Sequence, residues 1–309
     1  MLTQFLFLIL VNMIKIIDIN FLGINSAIAS FLIKNQNNLV LIETGPSSSY
    51  NNIKKEINSL GKDINDIKHV FVTHIHLDHS GGAWKFAQNG ATVYVHPKGA
   101  KHLQNPDKLI QSARKIYGNK MDMLWGKIKG IDSKNIRSVE HKEIIKIGNI
   151  NLKSLHTPGH ANHHISWKYN DVIFAGDVAG AKINNGPVLP ACPPPDIDLE
   201  LWEESLKILN DEAPKKLYLT HFGKSSNVTE HLEELKSCLW DWANWFKNKK
   251  NENKDIELLT KEFNAYVHES LVNKGLSKTL IEQYYAANPP YMSVTGLLRY
   301  WNKKANNDK

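Results

Sequence analysis

Cysteine is scarce in this sequence: Cys192 and Cys238 are the two it holds, far apart and in unlike contexts. A disulfide framework therefore does not organise the fold, and a reducing, cytoplasmic setting suits it. Long apolar runs are lacking as well. The run at 5–11, FLFLILV, falls short of the roughly 20 residues that a spanning helix needs, so no stable membrane insertion is expected. No Lys or Arg precedes it and no small-residue cleavage site follows, which makes it a poor signal peptide. Residues 1–12 read as a non-structural leader or as the product of a start codon placed too early, with a first strand opening at Met13. No internal repeat is present. Neither sign of charge dominates: 38 Lys and Arg stand against 31 Asp and Glu, for a net +7. The excess sits in one insert, 97–146, with twelve basic residues against five acidic ones. Such an insert is either a solvated surface or an attractor of an anionic small molecule.

What is present is a soluble globular composition, 42% hydrophobic and 22% charged. Short apolar runs alternate with turn signals through the first two-thirds. Runs at 27–33 and 39–42 flank a polar turn and read as a hairpin; 70–73, 92–95, 172–175 and 216–220 read as further short strands. Helical patterns lie between them at 53–60, 83–88 and 199–209, the last with Asp198 as its N-cap. The insert carries an amphipathic helical pattern from Leu109 to Ile128, read either as a helix packed on the body with its lysines in water or as a lid over a site. Beyond about residue 228 the spacing becomes helical throughout, with stretches at 228–246, 256–272, 277–287 and 291–303. The organisation expected is an α/β domain over 13–228 followed by an all-helical region, 229–309.

Fourteen histidines exceed what bulk composition needs. Four potential ligands fall within six residues: His74, His76, Asp78 and His79, directly after a β-branched strand end. Imidazole and carboxylate suit zinc, iron and manganese, and four such groups outnumber what one tetrahedral ion can use in that geometry. Two adjacent ions are the natural solution. Further candidates stand at later strand ends: His160 in Thr-Pro-Gly-His, Asp177 in Ala-Gly-Asp, and His221 after Leu-Thr. The remaining histidines, His163 and His164 included, read as structural.

The order HxHxDH, His, Asp, His, in these strand-end contexts, resembles the metallo-β-lactamase superfamily over about residues 15–225. That resemblance implies an α/β fold, the αββα sandwich, with the C-terminal all-helical extension added to it. It also implies that His74, His76 and His160 hold one Zn²⁺, that Asp78, His79 and His221 hold another, and that Asp177 bridges the two. Iron or manganese could replace zinc. Two ions sharing a hydroxide would generate the nucleophile, and Asp78 would help to orient it. One departure is visible. Relatives carry Asp where this chain has Glu43, whose expected role is to support the HxHxDH loop.

The fold alone does not choose a substrate. Glyoxalase II and the persulfide dioxygenases carry a Gly-Cys-Gly-Arg-type segment after the bridging Asp, where this chain has Val178-Ala179-Gly180-Ala181-Lys182-Ile183. The flavodoxin domain of flavodiiron proteins and the RNA-binding arm of ribonuclease Z are not found, so no nucleic-acid partner is expected. Glu43-Thr44-Gly45-Pro46, Pro193-Pro194-Pro195 and His221-Phe222-Gly223 instead resemble glyoxalase II-like hydrolases. These features favour attack on an ester, thioester or lactone carbonyl. The alternatives are a phosphodiesterase or ribonuclease of the same fold, a mononuclear iron dioxygenase, and a non-enzymatic module. A homo-oligomer is compatible with the sequence.

Overall fold

The computed structural model describes residues 13–36, 38–249 and 255–307; the reading of 1–12 as a leader lies outside them. The strands are β1 (Met13–Asp18), β2 (Ala29–Asn35), β3 (Asn38–Ile42), β4 (His69–Phe71), β5 (Thr92–Val95), β6 (Ile136–Ser138), β7 (Ile144–Ile147), β8 (Ile150–His156), β9 (Ile165–Tyr169), β10 (Val172–Phe174), β11 (Lys216–Leu219) and β12 (Gly223–Ser225). Helices α1 (Tyr50–Ser59), α2 (Leu77–Ser80), α3 (Ala83–Gln88), α4 (Pro97–Gln104), α5 (Asp107–Tyr117) and α6 (Met121–Trp125) fall among the earlier strands. After β10 come α7 (Leu199–Asp211), α8 (Val228–Lys249), α9 (Ile256–Asn273), α10 (Lys278–Ala287) and α11 (Tyr291–Asn307).

Among the described residues the strands form two six-stranded sheets, β1-β2-β3-β4-β5-β6 and β12-β11-β10-β9-β8-β7. Period-two alternation explains the layering. Phe71, Tyr94, Phe174 and Tyr218 point into the space between the sheets, while their neighbours Val70, Val93, Ile173 and Leu217 point outward under helices. The inner layer is aromatic: Phe71 stacks on Tyr94 at 4.1 Å, and Phe31 meets Phe174 at 5.2 Å. Trp167 of the second sheet donates its indole N–H to the Val72 carbonyl, just past β4 of the first, at 3.1 Å. Outside, α1 and α3 bury Ile53, Ile57 and Phe86, and α7 and α8 bury Trp202, Leu206, Leu235 and Leu239. This is the αββα sandwich. Asp198 caps α7 through the Leu201 N–H, as its position suggests.

Two features differ from the sequence reading. The insert is not one amphipathic helix. Gly118 (φ 52°) and Gly126 (φ 66°) take left-handed backbone, which ends α5 and then α6. The apolar residues still turn inward, and Trp125 stacks on Phe21 at 5.7 Å. The C-terminal helices, moreover, reach into the sandwich. Tyr284 accepts a hydrogen bond from the Ile183 N–H and donates to the Pro187 carbonyl, and Asn288 donates to the Pro190 carbonyl. Gly296 lets α11 pass the loop at 191–195, since a Cβ there would lie 2.0 Å from the Cys192 carbonyl oxygen. No helix among the described residues is long and apolar enough to cross a membrane.

Candidate metal centre

All seven residues singled out from the sequence come to one place. Four strands of the two sheets deliver them from their carboxyl ends, where α/β folds assemble sites. The chain after β4 turns through His74 and His76 into the short helix α2, which holds Asp78 and His79. His160 lies in the turn after β8, Asp177 just past β10 and His221 just past β11.

Two donor clusters result. In the first, His74 Nε2 lies 2.9 Å from His76 Nδ1, and His160 Nε2 lies 3.2 and 3.1 Å from those atoms. In the second, Asp78 Oδ2 is 3.6 Å from His79 Nε2 and 3.4 Å from His221 Nε2. Asp177 stands between them. Its Oδ1 is 3.1 Å from His79 Nε2 and 3.5 Å from His221 Nε2, and its Oδ2 is 3.6 Å from His160 Nε2. Ligands about 2.05 Å from a tetrahedral zinc stand about 3.3 Å from one another, so both clusters have the spacing of donors around an ion. His79 Nε2 and Asp177 Oδ1 are buried and find no well-directed hydrogen bond.

The outward nitrogen of four of these histidines is tied down, which aims the other at the site. His160 Nδ1 donates to the Ala191 carbonyl at 2.7 Å, and His221 Nδ1 to the Ala27 carbonyl at 2.9 Å. His79 Nδ1 donates to Glu43 Oε1 at 3.1 Å. His74 Nδ1 donates to the Thr73 hydroxyl at 2.9 Å, and that hydroxyl donates onward to Glu43. Glu43 thus supports the HxHxDH loop from behind despite its extra methylene, and it is fully buried.

The two clusters differ electrically. Burial, reinforced by neighbouring imidazoles, holds His74 well below its ordinary pKa and takes His76 to about 3, so both keep free lone pairs. Burial also opposes a charge on His79, but Asp177, Asp78 and Glu43 outweigh it and hold this histidine well above its ordinary value. Asp78 is depressed to about 2: burial works against its charge, and His79 and His221 overcome it. The field at the second cluster therefore favours positive charge, which a divalent cation would answer.

Sequence reasoning undervalued three neighbours. His164 stacks behind His74 at 5.1 Å and is held by Thr157, and Gly176 leaves it room. His163 flanks His76 at 5.9 Å and lines the cavity over the site. Their positions three and four residues past His160 were the available signal. Trp202 packs edge-on against His160 at 5.7 Å, a contact that no local pattern announces.

Residues 25–221 match the family model of the metallo-beta-lactamase superfamily. The chain belongs to that superfamily. One superfamily relative is the metallo-beta-lactamase fold-containing protein ST1585 of Sulfurisphaera tokodaii, 34% identical over 64% of this chain and 74% of its own. The crystal structure of ST1585 has a TM-score of 0.62 and covers 72% of this chain and 86% of that one. A superfamily protein of Thermus thermophilus, at 20% identity and a TM-score of 0.63, shares the fold over 91% of this chain and 89% of its own. A hydroxyacylglutathione hydrolase of Rhodopseudomonas palustris is 28% identical over 52% of this chain and 50% of its own length.

Proposed function

We propose that this protein is a binuclear metal-dependent hydrolase acting on an ester, thioester or lactone carbonyl. The observation that carries the reading is the pair of donor clusters joined by Asp177, whose two oxygens face different clusters. His74, His76 and His160 would hold one ion, Asp78, His79 and His221 the other, and Asp177 both, with zinc the first choice for such a donor set. When bound, the ions would supply an activated water and a Lewis-acid contact for the carbonyl oxygen. The chain's own share is positional. Asp78 is the more open of the two site carboxylates, its side chain 21% exposed, so it would accept the hydrogen bond that orients the attacking water. Glu43 and Thr73 fix the ring planes of His79 and His74. The cavity over the site admits a small molecule, and the relatives named hydroxyacylglutathione hydrolases favour carbonyl over phosphoryl chemistry.

The test is metal analysis of purified protein, then a panel of thioesters, lactones and bis-(p-nitrophenyl) phosphate. About two ions per chain and turnover of a carbonyl substrate are expected. A metal content near zero after zinc or manganese is added would overturn the reading.

A further inference from the structure

The cavity above the donor clusters has a volume of about 580 Å³, within the range of small-molecule sites. Its lining is of two kinds. One carries cations: Lys98 and Lys101 of α4 and Lys108 of α5, all exposed and without an ion-pair partner among the described residues. This wall stands close to the metal-binding loop, since a Cβ on Gly99 would lie 2.8 Å from Ile75 and 3.8 Å from the His163 Cβ. His102 lies beside these lysines, and among the described residues that line the cavity Asp196 is the one carboxylate outside the donor clusters. The other kind is apolar and comes from three separate stretches: Leu22 near the first strand, Ile116 and Leu124 in the insert, and Tyr291 and Met292 at the start of α11. Leu22, Ile116 and Tyr291 are 48%, 43% and 41% exposed, large apolar side chains that the fold leaves open to solvent. Apolar groups from distant segments that face one cavity mark a site for an apolar ligand.

We infer that the substrate is amphipathic: an anionic arm lies on Lys98, Lys101 and Lys108, and an aliphatic or aromatic arm lies in the apolar trough of the insert and α11. The scissile carbonyl sits between the two, over the donor clusters, which line the same cavity through His76, Asp78, Asp177 and His221. This assignment rests on the hydrolase reading for the carbonyl, and on the cavity alone for the two arms.

Binding separates the two. The probe is 3-(octylthio)propionate, an anionic thioether with no bond to hydrolyse, measured by calorimetry on metal-loaded protein against its ethyl homologue and its neutral amide. The octyl acid should bind, and each methylene removed towards ethyl should cost about fourfold. The acid should outbind the amide by tenfold or more. The triple variant Lys98→Ala, Lys101→Ala, Lys108→Ala should abolish that preference, and Ile116→Glu should flatten the dependence on length. Equal binding of acid and amide, or of octyl and ethyl, overturns the inference. If the octyl acid binds but S-octanoyl-3-mercaptopropionate is not cleaved, the hydrolase reading fails and the assignment of the arms stands. If an acetyl thioester is cleaved while the octyl acid fails to bind, the outcome is the reverse.

Discussion

Glu43 and His79 form a closed pair: Oε1 of one lies 3.1 Å from Nδ1 of the other, and neither side chain touches solvent. The carboxylate takes the Nδ1 proton, so Nε2 faces the site, where a bound cation would displace its proton and take its lone pair. Glu43→Gln keeps the size but can present an amide N–H to that ring. Affinity for the second ion should then fall on the order of tenfold to a hundredfold. Competition with a metallochromic chelator reads this directly. Unchanged affinity for both ions would remove Glu43 from the metal site.

Asp177→Asn tests the bridge. The change removes the charge that faces both clusters and leaves the side-chain volume almost unaltered. Metal content should drop below two per chain, and kcat on the best carbonyl substrate should fall on the order of a hundredfold or more. Wild-type turnover in this variant would refute the bridging role.

His231 gives a pH-dependent prediction away from the metals. Burial holds this side chain neutral, with its pKa pushed down to about 4, and its Nε2 donates to the Ala179 carbonyl at 2.8 Å. The unfolded chain takes up this proton near the ordinary pKa of about 6.5. Stability is therefore full above about pH 6.5 and declines as pH falls towards 4, where the folded side chain also protonates. The loss at pH 5 should be about 2 kcal/mol. Urea unfolding of metal-free protein at pH 7.5 and pH 5 measures it. In His231→Gln the difference between those two pH values should shrink by that amount.

Gly296→Ala probes the grip of α11 on the loop at 191–195. The added methyl group has no room against the Cys192 carbonyl, so one of the two must move. A cost of about 1–3 kcal/mol is expected, seen as a lower melting temperature. Because Ala191 and Pro193 line the cavity, KM should rise as well.

The site was legible because its donors are punctuated locally. Each follows a β-branched or aliphatic run, at its end or across a short turn, and Thr92–Val95 and Ala83–Gln88 fall where their residue patterns place them. The strands β6 and β12, three residues each, are too short to show a period, and they form because a neighbouring strand accepts them. The break at Gly118 was hidden because the apolar spacing continues on both sides of it. The cavity was the least legible feature. Leu22, Ile116 and Tyr291 are separated by about ninety residues or more, and only packing brings them to one cavity.

The hydrogen bonds from Tyr284 and Asn288 to the loop of 183–190 carry a consequence for descent. None of the seven candidate metal donors lies beyond His221, yet Tyr285, Tyr291 and Met292 line the cavity. The candidate ion-holding residues and the C-terminal part of the cavity lining therefore occupy separate stretches of the gene. Substitutions in α10 and α11 can reshape what is admitted without altering the metal donors. Relatives that share the first two-thirds of this chain and differ in the last third should divide by ligand rather than by chemistry.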